Sequence, residues 1–236
     1  MPQTPLRLAL LLILLAPPVR AQDNQLTDQE KQDGWLLLFD GKSMTGWQIG
    51  DDPIPPANVR DGAFNPHKMG GGRKLYVAHY AARQFGDFTL ALDFKITPKC
   101  NSGVFVRVAN PKDPVQTGFE IQIFDSAGKP EPTKHDAGAL YDAQAPAANA
   151  AKPPGQWQHL EVTARGNTIR ATLNGQPVLT AHLDRWTQAG KNPDGTKNKY
   201  KTPYKDMPKQ GFIGLQDHLA DCWFKNIKVK PLDPPK

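Results

Sequence analysis

The sequence predicts an all-β fold, with two antiparallel sheets stacked face to face as a sandwich or jelly roll. Three observations carry this. Glycine (20) and proline (23) are frequent among the 236 residues, which suits many short strands joined by turns. Several segments alternate apolar and polar residues with period two, most clearly FTLALDFKI (88–96), where Leu90, Leu92, Phe94 and Ile96 share one face. Long stretches of helical period are missing. Strands with one apolar face each must bury those faces together, which stacks two sheets and leaves their other faces open to water.

Taken in order, residues 1–21 combine a short basic start (Arg7), the apolar run LALLLILLA and the small-residue end V-R-A. That is the pattern of a secretory signal peptide ending at Ala21, and the run is too short to span a bilayer. No cysteine follows it, so lipid anchoring is not expected. Export to the periplasm or the exterior is, without stable membrane insertion. Residues 22–33 form a polar segment with a helix-capable stretch from Thr27 to Asp33. One domain is expected over 34–232, and a tail over 233–236.

Within the domain, GWLLLFDGKSMTGW gives a strand and a turn at Asp40-Gly41, and NVRDGAF a hairpin around Asp61-Gly62. SGVFVRVAN turns Val104, Val106 and Val108 inward and Phe105 and Arg107 outward. GFEIQIFDS turns Phe119, Ile121 and Ile123 inward and Glu120 and Gln122 outward. The Ala/Pro-rich stretch 142–155 reads as a surface loop. A meander then turns at Arg165-Gly166-Asn167 and Asn174-Gly175, and GFIGLQDH and CWFKNIKVKPL close the chain. That makes roughly a dozen strands and no linker able to separate two cores.

The formal charge of +6 does not indicate a nucleic-acid partner. Arg7 and Arg20 belong to the leader. The segment 187–210 holds Lys191, Lys197, Lys199, Lys201, Lys205 and Lys209 against Asp194 and Asp206, a net of +4. A lysine-rich loop punctuated by Gly and Pro reads as a solvated surface. Cys100 and Cys222 sit at the ends of predicted strands, and in an oxidising compartment the two could bridge. No His/Cys set has zinc spacing, and neither a phosphate-binding glycine loop nor a G-x-S-x-G elbow occurs.

The outward positions of these strands are Asp93, Lys95, Phe105, Arg107, Glu120, Gln122, Gln216 and His218. Carboxylate, amides, Arg and an aromatic ring on one face suit a sugar, whose hydroxyls take hydrogen bonds and whose ring needs an apolar surface.

Seven segments resemble the bacterial 3-keto-disaccharide hydrolase domain, in the family's order: GWLLLFDGKSMTGW, FGDFTLALDFKI, NSGVFVRV, GFEIQIFDS, GALYDAQAP, PPGQWQHLEVTARGNTIRATLNGQPV and GFIGLQDHLADCWFKNIKVKPL. The resemblance implies a concanavalin A-like jelly roll, export, and cleavage of glycosides oxidised to a ketone at sugar C3. Two departures stand out: Leu219 follows QDH where the family usually has glycine, and the insert 187–210 is long.

EIQIFD also echoes the E-x-D-x-x-E strand of retaining glucanases on the same jelly roll. Here Gln122 replaces the middle acid and Asp125 the last. Residues five apart on a flat strand point to opposite faces, and about 16 Å separates their Cα atoms. A retaining pair needs carboxyl groups about 5–5.5 Å apart. An ordinary β-glucan hydrolase is therefore a strained alternative, and a non-catalytic lectin-like module is a second.

A 3-ketone acidifies the C2 proton, so expulsion of the aglycone at C1 becomes a β-elimination that water can complete to net hydrolysis. Such chemistry needs a base at C2, a donor at the C3 oxygen and an acid for the leaving group. Glu120 is expected as the base, Arg107 as the enolate donor and His218 as the acid. Asp217 is expected to orient His218 or bind sugar, and Gln122 and Gln216 to clamp hydroxyls. Asn101 and Asp125 at the ends of their strands, with His135 and Tyr141 on loops, complete the candidate substrate-binding set. No cofactor is required, and a divalent metal could take the place of Arg107.

Overall fold

The computed structural model describes residues 22–55, 58–68 and 76–232, so the expected leader and tail lie outside the described residues. Its strands are β1 (Leu36–Leu37), β2 (Trp47–Ile49), β3 (Asp52–Pro53), β4 (Val59–Arg60), β5 (Ala63–Phe64), β6 (Tyr76–Tyr80) and β7 (Phe88–Ile96). They continue as β8 (Asn101–Val108), β9 (Phe119–Phe124), β10 (Gln158–Arg165), β11 (Thr168–Leu173), β12 (Gln176–His182), β13 (Phe212–Asp217) and β14 (Cys222–Pro231). One sheet of eight strands runs β12-β11-β10-β7-β14-β5-β4, with β1 also on β14. The other, of six, runs β3-β2-β6-β13-β8-β9. All the pairings are antiparallel. No described helix is long and apolar enough to cross a membrane.

The alternation in the sequence becomes the core. Leu90, Leu92, Phe94 and Ile96 of β7, with Leu160 and Val162 of β10 and Phe224 and Val229 of β14, are buried from the eight-stranded side. Val104, Val106, Phe119, Ile121, Ile123, Ile213 and Leu215 are buried from the six-stranded side. Each fully buried Leu or Phe contributes roughly 1.5–3 kcal/mol, and a one-residue slip of β7 would expose its whole set, so register is tightly held. The polar start folds into α1 (Asp28–Gln32), with a capping box between Thr27 and Glu30. Glu30 also pairs with Lys228, docking the helix on β14.

Two expectations about the polar face are corrected. Asp93 and Lys95 lie on β7, in the eight-stranded sheet, not beside Glu120. Arg107 is fully buried. Its φ is +53°, and the β13–β8 register shifts between Phe212 and Gly214, so a bulge breaks the period-two facing that the sequence implied. The guanidinium instead donates to Gly86 O (3.0 Å), Gly166 O (2.8 Å) and Asp87 Oδ1 (2.8 Å), all at one end of the eight-stranded sheet. Arg107 ties the two sheets together and does not line the open face.

Candidate active site

Strand register places Glu120, Gln122 and Gln216 on the outer face of the six-stranded sheet. Glu120 is opposite Phe105 and Gln122 opposite Gly103 across β9–β8. Gly214 lies opposite Phe105 and also opposite His79, so Gln216, two residues on, shares that face. The edge of β9 is covered by residues 138–141: Tyr141 N donates to Glu120 O (3.0 Å), and Gln122 N to Ala139 O (3.0 Å). With Ile121 bridged to Leu140, Tyr141 becomes the neighbour of Glu120 on its other side.

Glu120 is only 4% exposed. Its carboxylate leans over Gly103, where a side chain would have to stand: a Cβ there would lie 2.4 Å from Glu120 Oε1. Gln122 Nε2 donates to Asn101 Oδ1 (3.0 Å); with its amide turned over, it donates instead to Glu120 Oε1 (3.3 Å) and Ser102 O (3.2 Å). Burial pushes the Glu120 carboxyl up to about 7, against the opposing pull of the Lys199 charge. A carboxyl of that kind is near half-ionised at neutral pH, the condition suited to a general base.

Lys199 belongs to the segment 187–210 that the sequence suggested was merely solvated. Its lysines are exposed, yet Asn192, Tyr200, Tyr204 and Met207 are buried. Tyr204 packs on Phe119 (4.9 Å between ring centroids) and on Tyr200 (4.9 Å), closing the segment against the end of β9. Asp142 Oδ2 accepts from Lys199 N (2.9 Å), Gln116 donates to Lys199 O (3.2 Å), and Tyr200 Oη donates to Tyr141 O (2.6 Å). The pinned backbone lays Lys199 Nζ 4.2 Å from the centroid of the Tyr141 ring. Burial raises the Tyr141 phenol above its ordinary value, with Glu120 and Asp142 adding to it. The aromatic residues inside this lysine-rich stretch were the signal that it packs.

The other candidates divide. Gln216 is buried and its Oε1 has no protein partner among the described residues; the same holds for His79 Nδ1, which the sequence reading did not single out. Unpaired buried polar atoms are positions for ligand or water. His218 is half-buried just past the end of β13, two residues beyond Gln216. Asp217 accepts from Leu219 N (2.8 Å) and lies 3.2 Å from His67 Nδ1, so it is held by a turn and by His67. Leu219 has φ +64°, a conformation glycine adopts freely, and the Asp217 contact secures that turn. Asp125 Oδ2 accepts from Lys99 N (2.8 Å) and shapes the turn before β8. His135 is exposed, 3.1 Å from Asp142 Oδ1, with its ring 5.2 Å from that of Tyr141. Lys134 also pairs with Asp142 (2.8 Å). Among the described residues no group of three or more His, Cys, Asp or Glu converges as a metal site.

Comparison with known proteins gives this two-sheet sandwich its class, a glycoside-acting enzyme. The family profile described as a 3-keto-alpha-glucoside-1,2-lyase-like domain matches residues 34–230, and the chain belongs to that family. A Bacteroides thetaiotaomicron protein named 3-keto-disaccharide hydrolase is 27% identical, over 85% of this chain and 79% of its own. Two Parabacteroides distasonis crystal structures assigned as glycosyl hydrolases are also similar. One is 30% identical with a TM-score of 0.71, covering 84% of this chain and 99% of that one. The other is 25% identical with a TM-score of 0.72, covering 90% and 100%.

Proposed function

We propose that this protein cleaves 3-keto-glycosides, 3-keto-disaccharides among them, by elimination across C1–C2, and that it does so after export. The observation that carries the reading is a single buried carboxyl, Glu120, held near neutrality on a face where the neighbouring carboxylates are committed elsewhere. Asp142 is bound to Lys134, His135 and Lys199 N, Asp217 to its turn and His67, and Asp125 to Lys99 N. Two carboxyls astride a glycosidic bond, as ordinary glycoside hydrolysis uses, are not what this face offers. One base is enough for a substrate whose C2 proton a ketone has already acidified.

In the proposed sequence Glu120 takes the C2 proton, and the C2–H electron pair forms the enolate with its charge on the C3 oxygen. Lys199, held above Tyr141, stabilises that oxygen in the role first expected of Arg107. The enolate then re-forms the C3 carbonyl, C1=C2 forms, and the C1–O bond to the aglycone breaks. His218 supplies the proton to the departing oxygen. Water added at C1, with a proton returned to C2, completes net hydrolysis. Gln122 and Gln216 hold hydroxyls.

The test offers a 3-keto-disaccharide and its unoxidised parent to wild type and to Glu120→Gln. Cleavage of the keto form alone, lost in the variant with its fold intact, is the expected outcome. Equal cleavage of the parent by wild type would favour an ordinary glycosidase. Binding of sugar without any turnover would favour a lectin-like module.

A further inference from the structure

The outer face of the eight-stranded sheet, across the sandwich from Glu120, carries a groove of about 310 Å³ lined by Arg60, Asp61, Lys95, Trp157, Trp223 and Lys225. Strand pairing builds it: Trp223 lies opposite Lys95 and Lys225 opposite Asp93 across β14–β7, while Arg60 comes from the β4–β5 hairpin. The ammonium groups of Lys95 and Lys225 lie 5.0 and 4.4 Å from the centroid of the Trp157 ring. Lys225 is neutralised by Asp23 at 2.6 Å. Lys95 and Arg60 pair with no carboxylate among the described residues, and neither indole N–H has a protein acceptor there. Trp223 is half-buried and stacks on no other described ring or cation.

Lys225 has Asp23 and, opposite it across β14–β7, Asp93, whose carboxylate is itself held by His159 (2.6 Å) and Asn226 (2.7 Å), while Asp61 stands at the rim. The cations left without an ion-pair partner among the described residues are Lys95 and Arg60, and together they are complementary to one negative charge beside a flat apolar surface. We propose that it binds one residue of an acidic polysaccharide, with the sugar ring on Trp223 and its carboxylate or sulfate against Lys95 and Arg60. Asp61 at the rim accepts sugar hydroxyls and opposes a run of phosphodiesters. The volume, at the small end of ligand pockets, suits one sugar rather than a longer segment. Such a site holds the protein on an anionic glycan independently of what Glu120 does.

The proposal is tested by affinity electrophoresis of the purified protein in gels holding polygalacturonate, dextran sulfate, neutral dextran or single-stranded DNA. Retardation by polygalacturonate, by dextran sulfate or by both, weakened by salt and absent with neutral dextran, is expected, and the two arms tell carboxylate from sulfate. Trp223→Ala and the double variant Arg60→Ala/Lys95→Ala should each lower affinity at least tenfold, with melting temperature and keto-glycoside cleavage unchanged. The double variant keeps the test decisive if loss of the indole disturbs folding. Glu120→Gln should bind like wild type, which separates this outcome from that of the active-site reading. Equal retardation by neutral dextran, DNA bound as tightly as either acidic glycan, or full binding by both variants would overturn the proposal.

Discussion

Gly103 and Glu120 share one space: a Cβ on Gly103 would stand 2.4 Å from Glu120 Oε1 and 2.9 Å from its Cγ. The glycine is there for room, since its φ is not positive. Gly103→Ala is expected to swing the carboxylate off its position. A displacement of about 1 Å at a reacting group can cost on the order of 10²-fold in rate. Overpacking costs about 1–3 kcal/mol. Steady-state kinetics beside urea denaturation checks this, with the loss expected in kcat far more than in folding.

Arg107 was expected to serve turnover from an exposed face, and its buried position reverses the prediction. Arg107→Ala strips hydrogen bonds from Gly86 O, Gly166 O and Asp87. Breaking a buried ion pair costs about 3–5 kcal/mol. Because the Asp87 side chain is 27% exposed, the low end of that range is expected. The denaturation midpoint should fall while turnover per folded molecule stays near wild type.

The raised Glu120 carboxyl makes stability depend on pH in a stated direction. The folded state binds the proton more tightly than the unfolded chain, so this group's contribution is fully present below the ordinary value of 4.5 and is lost as pH rises through about 7. The loss is on the order of 3 kcal/mol at 1.36 kcal/mol per pH unit. Glu120→Gln should therefore gain stability over wild type between pH 4 and pH 8, read from melting temperatures across that window. Activity should rise with pH through about 7. Lys199→Met, which removes the charge holding Glu120 down, should move that limb to higher pH.

Cys100 and Cys222 are free, buried thiols, contributed by the turn before β8 and by the first residue of β14, hence one from each sheet. Burial, and then the adjacent Cys100, pushes the Cys222 thiol well above its ordinary range, so Cys222 should not react with alkylating agents until the protein unfolds. Oxidation would join the sheets and constrain a long loop by roughly 4–5 kcal/mol in the chain-entropy model. Reduced protein should take up alkylating agent at Cys222 only on unfolding, whereas protein oxidised in the periplasm should show by intact mass the loss of two hydrogens and take up none. Two free thiols there would remove the bridge.

The parts of the fold read correctly from sequence are those where facing follows simple alternation, as in β7 and β9. The same rule failed at Arg107 because Val-Arg-Val reads identically whether or not a bulge interrupts the strand; only the pairing with β13 shows the extra residue. Sheet membership was equally hidden. Asp93 and Glu120 both sit on outward positions of alternating strands, yet on opposite sheets, since a strand's sequence encodes its faces and not its neighbours. Lys199 was masked by five other lysines of the same segment. What distinguishes it is a pinned backbone, built from Asp142 and Gln116, far apart in sequence.

If Glu120 breaks the C2–H bond, solvent exchange reads it directly. A 3-keto-glucoside is cleaved in deuterium oxide by wild type and by Glu120→Gln, with the released 3-keto-sugar incubated alone as a control. Mass spectrometry and proton NMR then report hydrogen or deuterium at C2. Wild type should give either a C1=C2 product with no C2 hydrogen or a hydrated sugar carrying deuterium at C2, formed faster than the control exchanges and abolished by Glu120→Gln. Cleavage that leaves the original hydrogen at C2 would contradict it.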